Sequence, residues 1–150
     1  MGRFLGHAAA LAVDIEKTAA FYRDALGFPE AFRMYNGEGG RLGSVHIFVG
    51  ENQFIEIFPD GKPACCGVQD SRIHHICIQT DDIYADYNAV KERGAPIDSP
   101  VKEGVSKCLQ FWTHDPDGNP VEFMQLQAGC LRSLAIERQK NQGAASGEQG

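Results

Sequence analysis

The sequence contains no long hydrophobic run. None of its apolar stretches approaches the roughly 18 consecutive residues that a membrane-spanning helix needs, so we expect no membrane span. The apolar stretch near the N-terminus is short, and Asp14 and Glu16 follow it at once, which does not resemble a secretory signal peptide. The cytoplasm is therefore the expected compartment.

Positive charge is also scarce. The chain has 14 Lys and Arg against 20 Asp and Glu, which gives a formal net charge of −6, and its basic residues are scattered along the chain. Because binding to nucleic-acid phosphates needs a clustered basic surface, we expect no nucleic-acid partner.

Cysteine occurs without the spacing of a zinc ribbon or a CxxC motif. The chain has 5 cysteines, an odd number, which favours a reduced intracellular protein over a disulfide framework. The adjacent Cys65 and Cys66 lie between Pro63 and Gly67 and are predicted to be loop residues.

The first half of the chain reads as a strand, a helix and three strands. A short apolar run at 7–13 precedes Asp14, whose side chain suits a helix N-terminus, and Gly27 suits the end of that helix. Three strand-like runs follow, separated by Gly-rich turns at 37–40 and 50–52.

The second half repeats this order. A strand at 72–80 is followed by a helix that Asp82 begins and Gly94 ends, and then by three more strand-like runs. The turn at 115–119 (DPDGN) has the chemistry of a hairpin turn.

The repeat predicts an α+β fold of two tandem βαβββ modules. They cover about 5–60 and 72–127 of a single domain at 1–128. The C-terminal segment, 129–150, is expected to form a short helix up to Lys140 and then a disordered polar tail.

Four polar side chains occupy matching places in the two modules. His7 and His75 lie 68 positions apart, each seven residues before the acidic residue that begins the next helix. Glu56 and Glu122 lie 66 positions apart, each inside the last strand of its module between apolar residues. A carboxylate in such surroundings is costly to bury unless a charge or a metal ion compensates it.

A metal ion would account for all four side chains. Two neutral imidazoles and two carboxylates balance a divalent cation, and this donor set suits Ni, Zn, Co, Mn or Fe better than Ca. We therefore predict one divalent transition-metal ion bound by His7, Glu56, His75 and Glu122.

The other histidines are predicted to be non-ligands. His74 adjoins His75 and should point to the opposite face of its strand. His46 and His114 are left outside the site, although strand parity also allows His46 to point into the same cavity.

These segments resemble the vicinal oxygen chelate superfamily. The resemblance rests on HAAALAVDIEKTAAFYRDALGF, FIEIF, HHICIQTDDI and DPDGNPVEF, covers about 5–127, and is strongest to bacterial glyoxalase I (lactoylglutathione lyase). It implies paired modules that form a cupped mixed sheet around the metal, with helices on the outer face. It also implies a homodimer, in which the site can lie across the subunit interface.

The resemblance further implies a metal-dependent lyase or isomerase. Such an enzyme transfers a proton next to the carbonyl group of a small substrate, and Glu122, with Glu56 as its counterpart, would carry the proton. The alternatives are an acyl-CoA epimerase-type isomerase, an Fe(II) ring-cleaving dioxygenase, and a non-catalytic small-molecule binding or resistance protein.

Two positions depart from glyoxalase I and bear on the substrate. Leu11 and Asp60 stand where that family tends to carry Arg and Asn, so the substrate need not be linked to glutathione. Lys102 lies in a loop that resembles the lysine-containing loop of that family and is a predicted substrate contact. Strand parity predicts four more substrate contacts: Phe54, Gln110, Trp112 and Met124.

Overall fold

The computed structural model describes residues 5–63 and 74–147. The predicted loop residues Cys65 and Cys66 lie outside this described part, as do the first two residues of the strand predicted at 72–80.

The first module has the predicted order of elements. They are β1 (His7–Leu11), α1 (Ile15–Ala20), a π-helical turn (Phe21–Ala25) that continues α1, β2 (Glu30–Tyr35), β3 (Leu42–Gly50) and β4 (Gln53–Phe58). Asp14 caps α1, because its carboxylate accepts hydrogen bonds from the main-chain N–H groups of Glu16 and Lys17. Gly27 follows the helix with a φ of 83°, the left-handed conformation expected there.

The second module repeats the first. It contains β5 (Ile76–Gln79), α2 (Ile83–Glu92), β6 (Ser99–Glu103), β7 (Leu109–His114) and β8 (Pro120–Gln125). Asp82 caps α2 by accepting a hydrogen bond of 3.0 Å from the N–H of Ala85. The DPDGN segment forms the predicted turn between β7 and β8, where the N–H of Asp115 donates to the carbonyl of Asn119.

Each module forms its own four-stranded mixed sheet. The strand orders are β1-β4-β3-β2 and β5-β8-β7-β6, in which the first pair of each sheet is parallel and the others are antiparallel. This confirms the α+β fold with tandem βαβββ modules. In the described residues no strand pairing joins the two sheets, and β1 and β5 are sheet edges.

One hydrophobic core serves both sheets. In the first sheet Ile55 and Ile57 point into this core, and in the second Val121 and Phe123 do. The helices α1 and α2 and the π-helical turn contribute further buried side chains, among them Ala19, Tyr22, Ile83 and Val90. Because side chains alternate across a strand, the residues between these positions lie on the opposite face of each sheet.

Polar contacts join the β7–β8 turn to the start of α1. The carboxylate of Asp117 accepts from the N–H of Val13 at 2.9 Å and from the hydroxyl of Thr18 at 2.6 Å. Beside it, the hydroxyl of Tyr22 donates to the buried Asp115 at 3.3 Å. Burial raises the pKa of Asp115, and burial together with Asp115 raises the pKa of Tyr22 well above its usual value.

The C-terminal helix is longer than the sequence predicts. Helix α3 runs from Leu131 to Gly147, whereas the prediction ended it at Lys140 and expected a disordered tail beyond. Ala144 and Ala145 are strong helix formers, so the polar composition of this segment does not by itself oppose a helix. None of the helices in the described ranges is both long and apolar enough to cross a membrane.

The junction between the modules can be tested at Asp117. We expect Asp117→Ala to lower the free energy of unfolding by about 1–3 kcal/mol, because the Thr18 hydroxyl and the Val13 N–H both lose their partner. Urea unfolding measures this change. The exposed loop variant Glu38→Ala is the control and should stay within about 0.5 kcal/mol of the wild type. Equal stability of the two variants would contradict the assigned role of Asp117.

Candidate metal centre

The first pair of predicted ligands lies on the first sheet. Nδ1 of His7 is 3.6 Å from Oε1 of Glu56, and the parallel register of β1 and β4 places Ala9 directly beside this glutamate. Glu56 is mostly buried, whereas His7 at the edge of the sheet is 55% exposed. We call His7 and Glu56 the first half-site.

His46 lies beside the same carboxylate, which the sequence analysis allowed but did not predict. Its Nδ1 is 3.4 Å from Oε1 of Glu56, its Nε2 is 2.9 Å from the hydroxyl of Ser44, and its ring stacks on Phe32. The antiparallel register of β3 and β4 sets His46 directly opposite Glu56. Strand parity was the signal for this contact, but the register needed to confirm it is visible only in the structure.

The second pair lies on the second sheet. Nε2 of His75 is 3.1 Å from Oε2 of Glu122, and the side chain of Glu122 is only 6% exposed. His75 directly precedes β5 rather than lying within it. Within 5–63 and 74–147, no other basic side chain lies within ion-pair distance of Glu122. We call His75 and Glu122 the second half-site.

A hydrogen-bonded chain holds the other oxygen of Glu122. With the amide of Gln110 in the orientation that satisfies both of its ends, its nitrogen donates to Oε1 of Glu122 at 3.1 Å, and its oxygen accepts from the indole N–H of Trp112 at 3.0 Å. Trp112 also packs edge-on against the ring of His75, with centroids 4.9 Å apart. Gly104 lies directly against the Gln110 amide, so a side chain at this position would displace that amide.

Cys77 completes the surroundings of Glu122. It lies opposite Glu122 in the register of β5 and β8. Burial, followed by the charge of Glu122 and a hydrogen bond to it, raises the pKa of Cys77 to about 12. The thiol beside this carboxylate is therefore neutral.

The remaining predicted substrate contacts are divided between the two sheets. Lys102 is exposed on β6, opposite Gln110 in the register. Phe54 belongs to the first sheet, where it packs against Phe48. Met124 is buried in a small cluster with two cysteines, so it does not line an open cavity wall.

The other two histidines make contacts of their own. Nδ1 of the exposed His74 is 2.8 Å from Nδ1 of His75. Nδ1 of His114 is 2.9 Å from Oδ1 of Asp98, and both side chains are more than 40% exposed.

The chemistry of the donors fits a divalent transition metal. Two imidazoles and two carboxylates lie at matching positions of the two modules, and the buried carboxylate of Glu122 is bordered by the amide of Gln110 and by the imidazole of His75. The four donors lie as two pairs on separate sheets. Among the described residues no three His, Cys, Asp or Glu side chains are grouped so that they could hold an ion. The described chain thus holds two separate His–Glu pairs.

Comparison with known proteins places the chain in a family. Residues 4–123 match the Glyoxalase/Bleomycin resistance protein/Dioxygenase superfamily. The protein YwbC of Bacillus subtilis is 27% identical over 130 residues, which cover 83% of this chain and 99% of that protein. Human mitochondrial methylmalonyl-CoA epimerase is 32% identical over 129 residues, covering 83% of this chain and 66% of the epimerase.

A solved structure shares the fold. The glyoxalase family protein from Enterococcus faecalis superposes with a TM-score of 0.67 at 23% identity, covering 81% of this chain and 97% of that one. The match over 4–123 includes both half-sites, and the chain belongs to the Glyoxalase/Bleomycin resistance protein/Dioxygenase superfamily.

Proposed function

We propose that this protein is a metal-dependent isomerase that transfers a proton at the carbon next to a carbonyl group, with an acyl-CoA thioester as the favoured substrate class. The observation that carries the proposal is the pairing of one carboxylate with one histidine in each module, at 3.6 Å and 3.1 Å. A proton-transfer enzyme of this kind needs a base, a proton donor and a means of stabilising negative charge on oxygen.

The four predicted ligands would hold the metal ion. His7 and Glu56 would supply one half of its coordination, and His75 and Glu122 the other. When bound, a divalent ion supplies Lewis-acid stabilisation of the negative charge that develops on the carbonyl oxygen.

The two carboxylates are proposed to move the proton. Inversion at a carbon atom needs a base on one face and an acid on the other, and each module supplies one carboxylate. Gln110 and Trp112 are predicted substrate contacts, but we propose that they act by holding Oε1 of Glu122. This leaves Oε2 of Glu122 directed towards His75. His46 is proposed to fix Glu56 in the same way.

We further propose that two copies of the chain assemble the complete site. The two half-sites lie on separate sheets, and β1 and β5, which border them, are free edges in the described chain. The face of the first sheet that carries His7 and Glu56 also exposes large apolar side chains: Leu11, Phe32 and Met34 are each about half exposed or more. Apolar surface of this kind is typical of a protein interface. In the proposed homodimer, the first half-site of one chain meets the second half-site of its partner.

The substrate proposal rests on two positions and one relative. Leu11 is apolar and 63% exposed, and Asp60 is an anion that pairs with Arg41 at 2.5 Å, so neither side chain suits the carboxylates of glutathione. A human relative at 32% identity is named as an epimerase of methylmalonyl-CoA. Lys102 and Phe54 remain proposed substrate contacts, and the lysine would face an anionic part of the substrate.

Metal binding can be followed by Trp112, the single tryptophan of the sequence. Because its indole packs on His75, we expect added Ni²⁺, Co²⁺ or Zn²⁺ to change its fluorescence in the wild type. Gln110→Leu should weaken metal binding by about 10–100-fold, since it removes a hydrogen bond that orients a ligand. Calorimetric titration measures the affinity, and His114→Ala is the control that should bind normally. If no ion binds the wild type, a non-catalytic binding protein becomes the better explanation.

The location of the site can be tested by complementation. We expect Glu56→Gln and Glu122→Gln to be inactive alone but to recover about a quarter of wild-type activity when co-expressed, because half of the dimers are mixed and each mixed dimer has one intact site. The double variant, which carries Glu56→Gln and Glu122→Gln on the same chain, is the negative control. No recovery in dimers shown to be mixed would mean that the site lies within one chain.

The reaction itself predicts exchange of a substrate proton with solvent. We expect the metal-loaded protein to incorporate deuterium from D₂O at the α-carbon of methylmalonyl-CoA, and Glu122→Gln to slow the exchange by about 10²–10⁴-fold. NMR or mass spectrometry measures the label. Exchange on a glutathione hemithioacetal but not on the thioester would replace the proposed substrate class. Exchange on neither compound would count against proton transfer.

A further inference from the structure

Two buried cysteines lie in contact outside the candidate metal centre. Cys108 directly precedes β7 and Cys130 directly precedes α3, and their sulfur atoms are 3.2 Å apart. Both side chains are almost completely buried, and together with Met124 they form a small cluster of their own. Neither residue takes part in the proposed reaction.

The two sulfur atoms have different hydrogen-bond partners. Cys130 accepts hydrogen bonds from the main-chain N–H of Ser133 at 3.4 Å and from the thiol of Cys108, and its sulfur is 3.1 Å from the Ser133 hydroxyl. This is the position of an N-cap, where the free N–H groups of a helix favour a negative charge. Cys108 has as its acceptors the sulfur of Cys130 and, at 3.9 Å, the carbonyl of Ser106.

The pKa shifts follow the same division. The side-chain and main-chain contacts with Ser133 lower the pKa of Cys130 to about 6, which favours the thiolate form of this sulfur. Burial raises the pKa of Cys108, which therefore stays protonated and donates to its neighbour. A thiolate beside a protonated thiol is the arrangement of a reactive cysteine and its resolving partner.

We propose that Cys108 and Cys130 form a peroxide-reactive dithiol, which closes reversibly to a disulfide and ties the start of α3 to the β6–β7 turn. This proposal is independent of the proposed enzymatic function.

The chemistry needs a hydroperoxide as the oxidant. The thiolate of Cys130 attacks one oxygen of the peroxide, so an S–O bond forms and the O–O bond breaks. The leaving alkoxide or hydroxide takes up a proton and departs as an alcohol or water. The sulfur of Cys108 then displaces the hydroxyl group from the sulfenic acid on Cys130. Its own proton leaves with that hydroxyl group as water, and the two sulfur atoms have together supplied two electrons.

The start of α3 covers the two cysteines. Leu131, the first residue of α3, is 58% exposed, and besides the contact of the two sulfur atoms its N–H donates to the carbonyl of Ser106 in the turn. Opening of the first helical turn therefore gives a small oxidant access to Cys130. The same turn contains Gly104, which lies against the Gln110 amide. Because that amide donates to Glu122, the disulfide would form close to the hydrogen bonds that hold this carboxylate.

The test is peroxide oxidation of the full chain, followed by alkylation in denaturant and peptide mass spectrometry. With about one equivalent of hydrogen peroxide we expect a peptide pair linked through Cys108 and Cys130, which is lost on treatment with dithiothreitol. The link should form at least about 10-fold faster than Cys77 loses its reactivity towards the alkylating reagent.

Three variants define the roles of the two sulfur atoms. Cys108→Ser should stop at a sulfenic acid on Cys130, which dimedone traps, whereas Cys130→Ser should leave Cys108 fully alkylated. Cys77→Ser is the matched control and should form the link at the wild-type rate. The proposal fails if Cys108 and Cys130 both remain alkylatable under excess peroxide, or if the first disulfide formed in the wild type contains Cys65 or Cys66.

Discussion

The alternation of side chains in the last strand of each module is the constraint on which the rest of the structure depends. Ile55 and Ile57 point into the core shared by both sheets, so Glu56 between them must lie on the other face. Val121 and Phe123 place Glu122 in the same way. A shift of one residue in either strand would turn the carboxylate into the core and the apolar pair out of it. The hydrophobic packing of the fold therefore also fixes where the candidate ligands point.

The two carboxylates reach this common position in different surroundings. In the first module the residue opposite Glu56 on the neighbouring antiparallel strand is His46, whereas in the second module the residue opposite Glu122 is Trp112. Glu56 is thus bordered by two imidazoles, whereas Glu122 is bordered by one imidazole, by the amide of Gln110 and by the neutral thiol of Cys77. A buried carboxylate without such donors would be costly, and the Gln110–Trp112 chain offsets that cost.

The sequence predicts features that depend on local chemistry and misses those that depend on register. The helix starts at Asp14 and Asp82 follow from the residues themselves. The order of helices and strands along the chain in each module does so too. The contact of His46 with Glu56 depends on how β3 pairs with β4, which the turn at 50–53 sets and residue types do not reveal. The C-terminal helix continues past Lys140 because this polar segment also contains good helix formers, so polar composition alone does not predict disorder.

The difference between the modules also bears on assembly. A site built from two first half-sites would contain four imidazoles counting His46, and a site built from two second half-sites would lack His46 altogether. Only a first half-site joined to a second one combines a carboxylate beside two imidazoles with a carboxylate beside one imidazole and an amide. In a dimer with two-fold symmetry, any contact of one chain's first module with its partner's second module occurs twice. The proposed homodimer therefore contains two equivalent sites, and each uses one carboxylate held by imidazoles and one held by neutral donors.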